Sequence, residues 1–234
     1  MSSGRATPKV RIVACLAALL LSALAYPDVR AEPQQQEHPW QQMQEHAFDV
    51  GAGGTLRVHV DDADVAVVAA SGGNATIDIR LRSNDMERAR DLFERTGYTA
   101  RQDGNTIIVE SGTRPDDDWR QGFWMSVVVE TRVPKRFDLD LSTEDGDVSL
   151  ASHEGRVRVD TEDGDIVAGE LIGAPSSLRA SIDLSGEDVS IQGGSRIDGD
   201  VRDGRAQGDL NGGGERIRAR TGDGTVRLVE GSNG

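Results

Sequence analysis

A chain of 234 residues with a net charge of −14, 28 glycines and only 4% aromatic residues has room for one sizeable core, but not a core built on large rings. The acidity excludes the broad basic surface that binding to nucleic acid or an anionic bilayer requires. Lysine occurs only as Lys9 and Lys135, so nearly all the positive charge is arginine.

The first 25 residues read as a signal peptide. Arg5, Lys9 and Arg11 form a basic start, Ile12 to Leu21 an apolar run too short for a convincing bilayer span, and Ala23-Leu24-Ala25 a small-residue cleavage site ending at Ala25. Val29-Arg30-Ala31 is a second cleavage choice. Cys15, the single cysteine, lies too early in the apolar run to take a lipid anchor. Cleavage would leave no cysteine, which excludes disulfides, thiol catalysis and cysteine-ligated zinc. It would also take the net charge from −14 to −17, because the leader holds three bases and no acid. The expected location is therefore the periplasm, the cell surface or the medium.

Residues 26–46, with Gln34-Gln35-Gln36 and Gln41-Gln42, read as a flexible linker, and one domain is expected over 47–234. Its first half, 47–136, is the less regular. Leu56, Val58 and Val60 alternate with Arg57 and His59 as a half-buried strand should, and Ile77-Asp78-Ile79-Arg80-Leu81 repeats the pattern after Gly72-Gly73-Asn74. Ser83 or Asn84 can cap a short helix over Asp85 to Arg95 that buries Met86, Leu92 and Phe93 and stops at Gly97. Strands resume at Thr106 to Val109 and Met125 to Val133. Between them, Trp119, Phe123 and Trp124 read as a cap on the core, with a glycan platform or partner contact as the alternative.

Residues 137–234 are repetitive. Thr143-Glu144-Asp145-Gly146-Asp147-Val148 returns as Thr161-Glu162-Asp163-Gly164-Asp165-Ile166, and a degenerate copy is Leu184-Ser185-Gly186-Glu187-Asp188-Val189. Val201-Arg202-Asp203-Gly204 and Thr221-Gly222-Asp223-Gly224-Thr225-Val226 continue the series. Short alternating strands at a period near 20 predict an all-β fold, a right-handed β-solenoid with one helical insertion. An antiparallel meander or β-sandwich is the alternative. Asp145, Gly146, Asp163, Gly164, Gly186, Asp203, Gly204, Asp223 and Gly224 are the expected corner residues, with glycine supplying positive φ and Asp bonding the turn.

Gly53-Gly54-Thr55-Leu56, Val133-Pro134-Lys135, Leu139-Asp140-Leu141-Ser142-Thr143 and the Thr-x-Asp-Gly-Asp units together resemble a bacterial family of adhesin-type β-strand-repeat proteins, domain-of-unknown-function family 4097. The resemblance spans about residues 47–230 and implies an envelope-exposed β-solenoid with no established activity.

No catalytic, cofactor or metal site is expected. The spacings of 18 and 23 residues do not match the nine-residue calcium β-roll, and no EF-hand loop is present. Asp145 with Asp163, or Asp147 with Asp165, could align as a glycan-hydrolysing acid pair, but acidic corners produce such ladders automatically. His38, His46, His59 and His153 lack metal-ligand spacing, there is no Gly-x-Ser-x-Gly elbow, and Gly51-Ala52-Gly53-Gly54 precedes a strand where a phosphate loop should follow one. Asn74-Ala75-Thr76 matches the glycosylation sequon by chance. The expected role is a non-catalytic envelope scaffold or adhesin-like module. Its partner would be an envelope protein or glycan, and edge strands could also pair between chains. A glycan-processing enzyme and an accessory component of an envelope-stress system are the alternatives.

Overall fold

The computed structural model describes residues 38–70, 72–114, 122–151, 153–169, 180–192, 197–210 and 214–229. The signal peptide with Ala25, most of the linker, and Trp119 lie outside the described residues. Among the described residues, no helix is long and apolar enough to cross a membrane.

The fold is all-β. In chain order, β1 (Gln41–Asp49), β2 (Thr55–His59), β3 (Asp64–Ala70) and β4 (Asn74–Ser83) precede the helix α1 (Met86–Thr96). After it come β5 (Thr99–Asp103), β6 (Thr106–Glu110), β7 (Met125–Pro134), β8 (Asp138–Thr143), β9 (Val148–Leu150), β10 (Val157–Thr161) and β11 (Ile166–Gly169). The last are β12 (Ala180–Ser185), β13 (Asp188–Gln192), β14 (Ile197–Arg202), β15 (Arg205–Leu210), β16 (Glu215–Thr221) and β17 (Thr225–Val229). They form two mixed sheets: β1-β4-β7-β3-β9-β11-β17-β13, and β14-β15-β12-β16-β10-β8-β2-β6-β5. The first is called the small-residue sheet and the second the arginine sheet.

Five strand pairs, β2–β3, β8–β9, β10–β11, β16–β17 and β12–β13, each cross from the arginine sheet to the small-residue sheet through a corner. Successive pairs, here called rungs, stack in parallel and in register: Leu56 beside Leu139, Leu139 beside Val157, Val157 beside Ile217, Ile217 beside Ile182. Alternation turns Leu56, Val58, Leu139, Leu141, Val157, Val159, Ile182 and Leu184 inward against Val65, Val67, Val148, Leu150, Ile166, Val226 and Leu228, all buried. Small aliphatic side chains suit this thin interior, as the composition implied.

The rungs do not stack in chain order. The last rung, β16–β17, slots between β10–β11 and β12–β13. The corners explain why. Four residues, 221–224, separate the paired ends of β16 and β17, whereas two residues, 186–187, span the matching gap between β12 and β13. A full-length corner stacks on a full-length corner, and the short one is left at the end.

Antiparallel strands flank the rungs, so part of the meander alternative is present too. At one end β7, β4 and β1 extend the small-residue sheet, and the β5–β6 hairpin extends the arginine sheet. At the other end stands the β14–β15 hairpin. Asp203-Gly204 is therefore a hairpin turn and not a fifth corner of the series, and Gly204 does take positive φ, at 70°. The expected linker ends early, because Gln41–Asp49 is strand. A polar sequence suffices for an edge strand whose backbone pairs with β4 while Met43 and Phe48 reach the core. Helix α1 begins one residue later than expected: Asp85 is its N-cap, accepting from the Arg88 N–H at 3.2 Å, while the Ser83 hydroxyl accepts from the Asp85 N–H. Gly97 closes it in the left-handed conformation, and Ala89, Leu92 and Phe93 are buried against the β4 end.

Candidate functional site

The repeat motif builds one edge of the molecule, and each of its positions has a separate task. The threonines are buried and donate to carbonyls of the neighbouring rung: Thr143 to Asp61 at 2.7 Å and Ala63 at 3.0 Å, Thr161 to Glu144 and Gly146 at 3.3 Å, Thr221 to Glu162 at 3.5 Å. The glycines are there for close approach. Gly146, Gly164, Gly186 and Gly224 have no positive φ, which corrects the expectation. A Cβ on Gly146 would run into the Ala63 carbonyl, on Gly164 into that of Gly146, and on Gly224 into that of Gly164. Gly186 continues the row, since a Cβ there would lie 2.9 Å from the Gly224 carbonyl, and the Gly204 hairpin turn docks beside Gly186, whose N–H donates to the Gly204 carbonyl at 3.1 Å.

The two aspartates of the motif also differ. The second one staples rungs: Asp64 accepts from the Asp147 N–H (3.1 Å), Asp147 from the Asp165 N–H (2.9 Å), and Asp165 from the N–H and hydroxyl of Thr225 (2.8 and 2.9 Å). The first one, Asp145, Asp163 or Asp223, is exposed, and in Asp163 and Asp223 it is the backbone N–H that bonds the preceding rung. The expectation had assigned bonding to the wrong aspartate and had missed the threonines. The signal was present, because threonine recurs three residues before each full-length corner glycine.

These bonds decide what the paired carboxylates can do. The Thr225 donors hold the Asp165 carboxyl below the usual carboxylate range, and burial pushes Asp64 up against the opposing Asp147 N–H. The Asp147–Asp165 pair is therefore engaged in backbone bonds between rungs, while Asp145 and Asp163 stand exposed on the corners. A different row carries the largest carboxylate shift. Asp61, Glu144 and Glu162 follow one another on successive rungs in an open groove of about 670 Å³, with His59, Ser111, Ser142 and Asp160 around them. A hydrogen bond shared with Asp61, and the charges of Asp61, Glu162 and Asp145, push Glu144 up to about 7. Among the described residues no three His, Cys, Asp or Glu converge closely enough to hold a metal ion. Arg114 clamps this edge: it is 8% exposed, pairs with Asp62 at 2.9 Å, and donates its N–H to Asp61 at 2.7 Å.

The outer faces of the two sheets are unlike. The small-residue sheet presents half-buried Ala66, Val68, Val128, Ser149 and Val167. The arginine sheet carries a lattice of Arg and Asp with a second groove of about 380 Å³, lined by Arg57, Arg156, Arg158, Arg216 and Arg218 together with Asp138 and Asp140. Arg156 pairs with Asp138 (Nε at 3.0 Å) and Arg158 with Asp160 (2.7 Å), while Arg205, Arg218 and Arg220 share Asp183 at 3.6–3.7 Å. Sequence reasoning missed this groove.

Among the described residues, the remaining histidines and aromatic side chains do not converge on one site. His59 is exposed, 3.8 Å from Asp140. His153 is mostly buried, with Nε2 on the Phe137 carbonyl, and burial pushes its pKa down. Phe123 packs on the core beneath Arg88, whereas Trp124 is 38% exposed and meets His38 edge-on at 5.3 Å, so it is no core plug.

No family model and no curated protein matches the chain, so the resemblance to family 4097 rests on the residues that carry it. Among solved structures the chain is similar to a candidate cell adhesion protein from Clostridium sporogenes, with 8% identity, a TM-score of 0.46, and coverage of 82% of this chain and 100% of the other. A candidate adhesin from Bacteroides fragilis matches at 11% identity and TM-score 0.31, over 80% of this chain and 97% of the other. A candidate lipid-binding protein from Parabacteroides distasonis matches at 10% and 0.25, over 55% and 58%. Likeness this distant carries no activity across.

Proposed function

We propose that this chain is a non-catalytic exported protein of the bacterial envelope. It works as an adhesin-like or scaffold module that binds through the extended face of a right-handed β-solenoid. One observation carries the reading. The threonines, glycines and second aspartates of the repeat are consumed in holding rung to rung, while the outer face of the nine-stranded sheet keeps a cluster of charged side chains over β2, β8, β10 and β16. Stacked rungs present such regular surfaces for binding. Export rests on the basic start, apolar run and Ala25 site of the first 25 residues.

The test is to express the full chain with its own leader, determine the new N-terminus, and sediment the processed protein with isolated cell-wall particles. Cleavage after Ala25 and co-sedimentation are expected. A cytoplasmic, unprocessed chain that stays in the supernatant refutes the proposal.

A second reading, a glycan-processing enzyme, is favoured by one feature, the raised Glu144 carboxyl in the row with Asp61 and Glu162 along an open groove. It requires release of new reducing ends from wall glycan by the wild-type chain, lost in Glu144→Gln at unchanged Tm.

A further inference from the structure

We infer that the groove across β2, β8, β10 and β16 binds an acidic glycan, one bearing carboxylate groups along its chain. The inference rests on the scaffold reading above and names the ligand class of that face.

The register brings the charges together. Arg158 lies beside Arg218, and Arg156 lies beside Arg216, one step before the pair Val157 and Ile217. Four guanidinium groups thus form a two-by-two block on adjacent strands, an arrangement that costs stability because like charges face each other directly. Five arginines against two aspartates make this groove locally positive on a chain of net charge −14. Neighbouring acids absorb part of that charge, Asp138 at Arg156 and Asp160 at Arg158, but not all of it. Arg57 and Arg216 make no ion pair among the described residues and are exposed. The Arg218 Nε is buried without a hydrogen-bond partner, its nearest carboxylate lying 3.6 Å away on Asp183. Guanidinium donors in a planar fork match carboxylate oxygens in pairs, so an anion lying between β10 and β16 would satisfy the block.

The same floor offers acceptors. Asp140 stands 3.8 Å from His59 and 3.9 Å from Arg158, beyond hydrogen-bond distance, and its oxygens can accept from sugar hydroxyls. Donors for carboxylates beside acceptors for hydroxyls are the complement of a uronate chain. The groove runs across the strands, repeating at roughly 4.8 Å per rung. A peptide would instead add along a sheet edge. Asp61, Glu144 and Glu162 line the other groove, just past the corner ends of the same strands β2, β8 and β10, and Asp183, Asp209 and Asp198 lie toward the β14 end. A planar anionic bilayer or a nucleic-acid duplex would meet those acids, whereas one thin chain would not.

The experiment is calorimetric titration of the processed full chain with oligogalacturonate and oligoalginate, at low and physiological salt. Neutral dextran, inorganic phosphate, poly-glutamate and phosphatidylglycerol vesicles are run alongside at matched charge. The uronates should bind, more weakly as salt rises. Arg57→Gln with Arg216→Gln should weaken binding at least about tenfold. Arg227→Gln on the opposite sheet should leave it unchanged. Because both groove residues are exposed, the double variant should keep its Tm. Failure of both uronates to bind overturns the inference, as does equal binding by the double variant, or tighter binding of phosphate, poly-glutamate or vesicles. If the uronates fail while wall co-sedimentation persists, only the groove assignment falls. Loss of co-sedimentation in the wild type removes the scaffold reading itself.

Discussion

The stacked rungs and the antiparallel flank of β1, β4 and β7 share a core and an alternation pattern, yet they tolerate change in opposite ways. In the rungs, corner backbone touches corner backbone, so a methyl group has nowhere to go. In the flank, the turn between β3 and β4 opens to solvent, and nothing lies within 4 Å of a Cβ built on Gly72. Close backbone approach requires glycine at the corners, whereas Gly72 in the flank has room for a side chain. The largest expected contrast follows directly. Gly164→Ala must displace the Gly146 carbonyl and should cost more than about 4 kcal/mol. Gly72→Ala should stay within about 1 kcal/mol and can stabilise by narrowing the unfolded ensemble. Urea unfolding of both variants reads the difference, and a cost below about 1 kcal/mol for Gly164→Ala breaks the comparison.

The two regions are joined through Arg114, which carries the segment after β6 back onto the first rung corner. Arg114→Ala would leave Asp62 half-buried and unpaired, at about 3 kcal/mol. Burial already pushes Asp62 up from its ordinary value against the pull of Arg114. A raised carboxyl favours the protonated folded state, so the loss should be larger at pH 8 than at pH 5. Asp62→Asn in the same chain should recover part of it. An Arg114→Ala chain as stable as wild type would show that the flank and the rungs are not coupled here.

Hydroxyl removal is a finer probe. Thr161→Val keeps volume but removes donation to the Glu144 and Gly146 carbonyls, at about 1 kcal/mol. Thr76→Val, on the outer face of β4, should be neutral. Equal costs would mean that the corner hydroxyls are not what separates rungs from flank.

How much of this was legible depends on the range of the interaction. The strands at Leu56–Val60 and Ile77–Leu81, the helix stop at Gly97 and the Asp-Gly corners are local, and their residues announce them. The rung order is not local. Ile217 and Ala219 fit beside Val157 and Val159 as well as Ile182 and Leu184 would, so apolar alternation cannot choose between them. The choice lies in corner length, visible as two missing residues near Gly186 only once the register is known. Gln41–Asp49 was hidden because an edge strand needs backbone partners more than apolar residues. The arginine groove joins Arg57, Arg156, Arg158, Arg216 and Arg218, which span some 160 positions of sequence. Each alone reads as the outward member of a half-buried strand.

The smallest expected effect concerns pH, and it too divides along the corners. Glu144 is raised from 4.5 to about 7 by its hydrogen bond to Asp61 and by the charges of Asp61, Glu162 and Asp145. A carboxyl whose folded pKa exceeds its unfolded value stabilises the fold when protonated. That contribution is full below about 4.5 and is lost as pH rises through about 7. Asp165 and Asp138 are held below 3.8 by Thr225 and Arg156, and their contribution is lost only as pH falls below that value. Tm should therefore rise slightly from pH 8 to pH 5 and then fall below pH 4. Glu144→Gln should flatten the upper limb and leave the acid limb intact, because glutamine can still share a hydrogen bond with Asp61 but carries no charge to repel it. An upper limb that survives Glu144→Gln would move the titration to Asp62 and Asp64, whose carboxyls burial also raises, and not to His153. Its ring is held neutral by burial, so it adds stability that is lost as pH falls, the opposite slope.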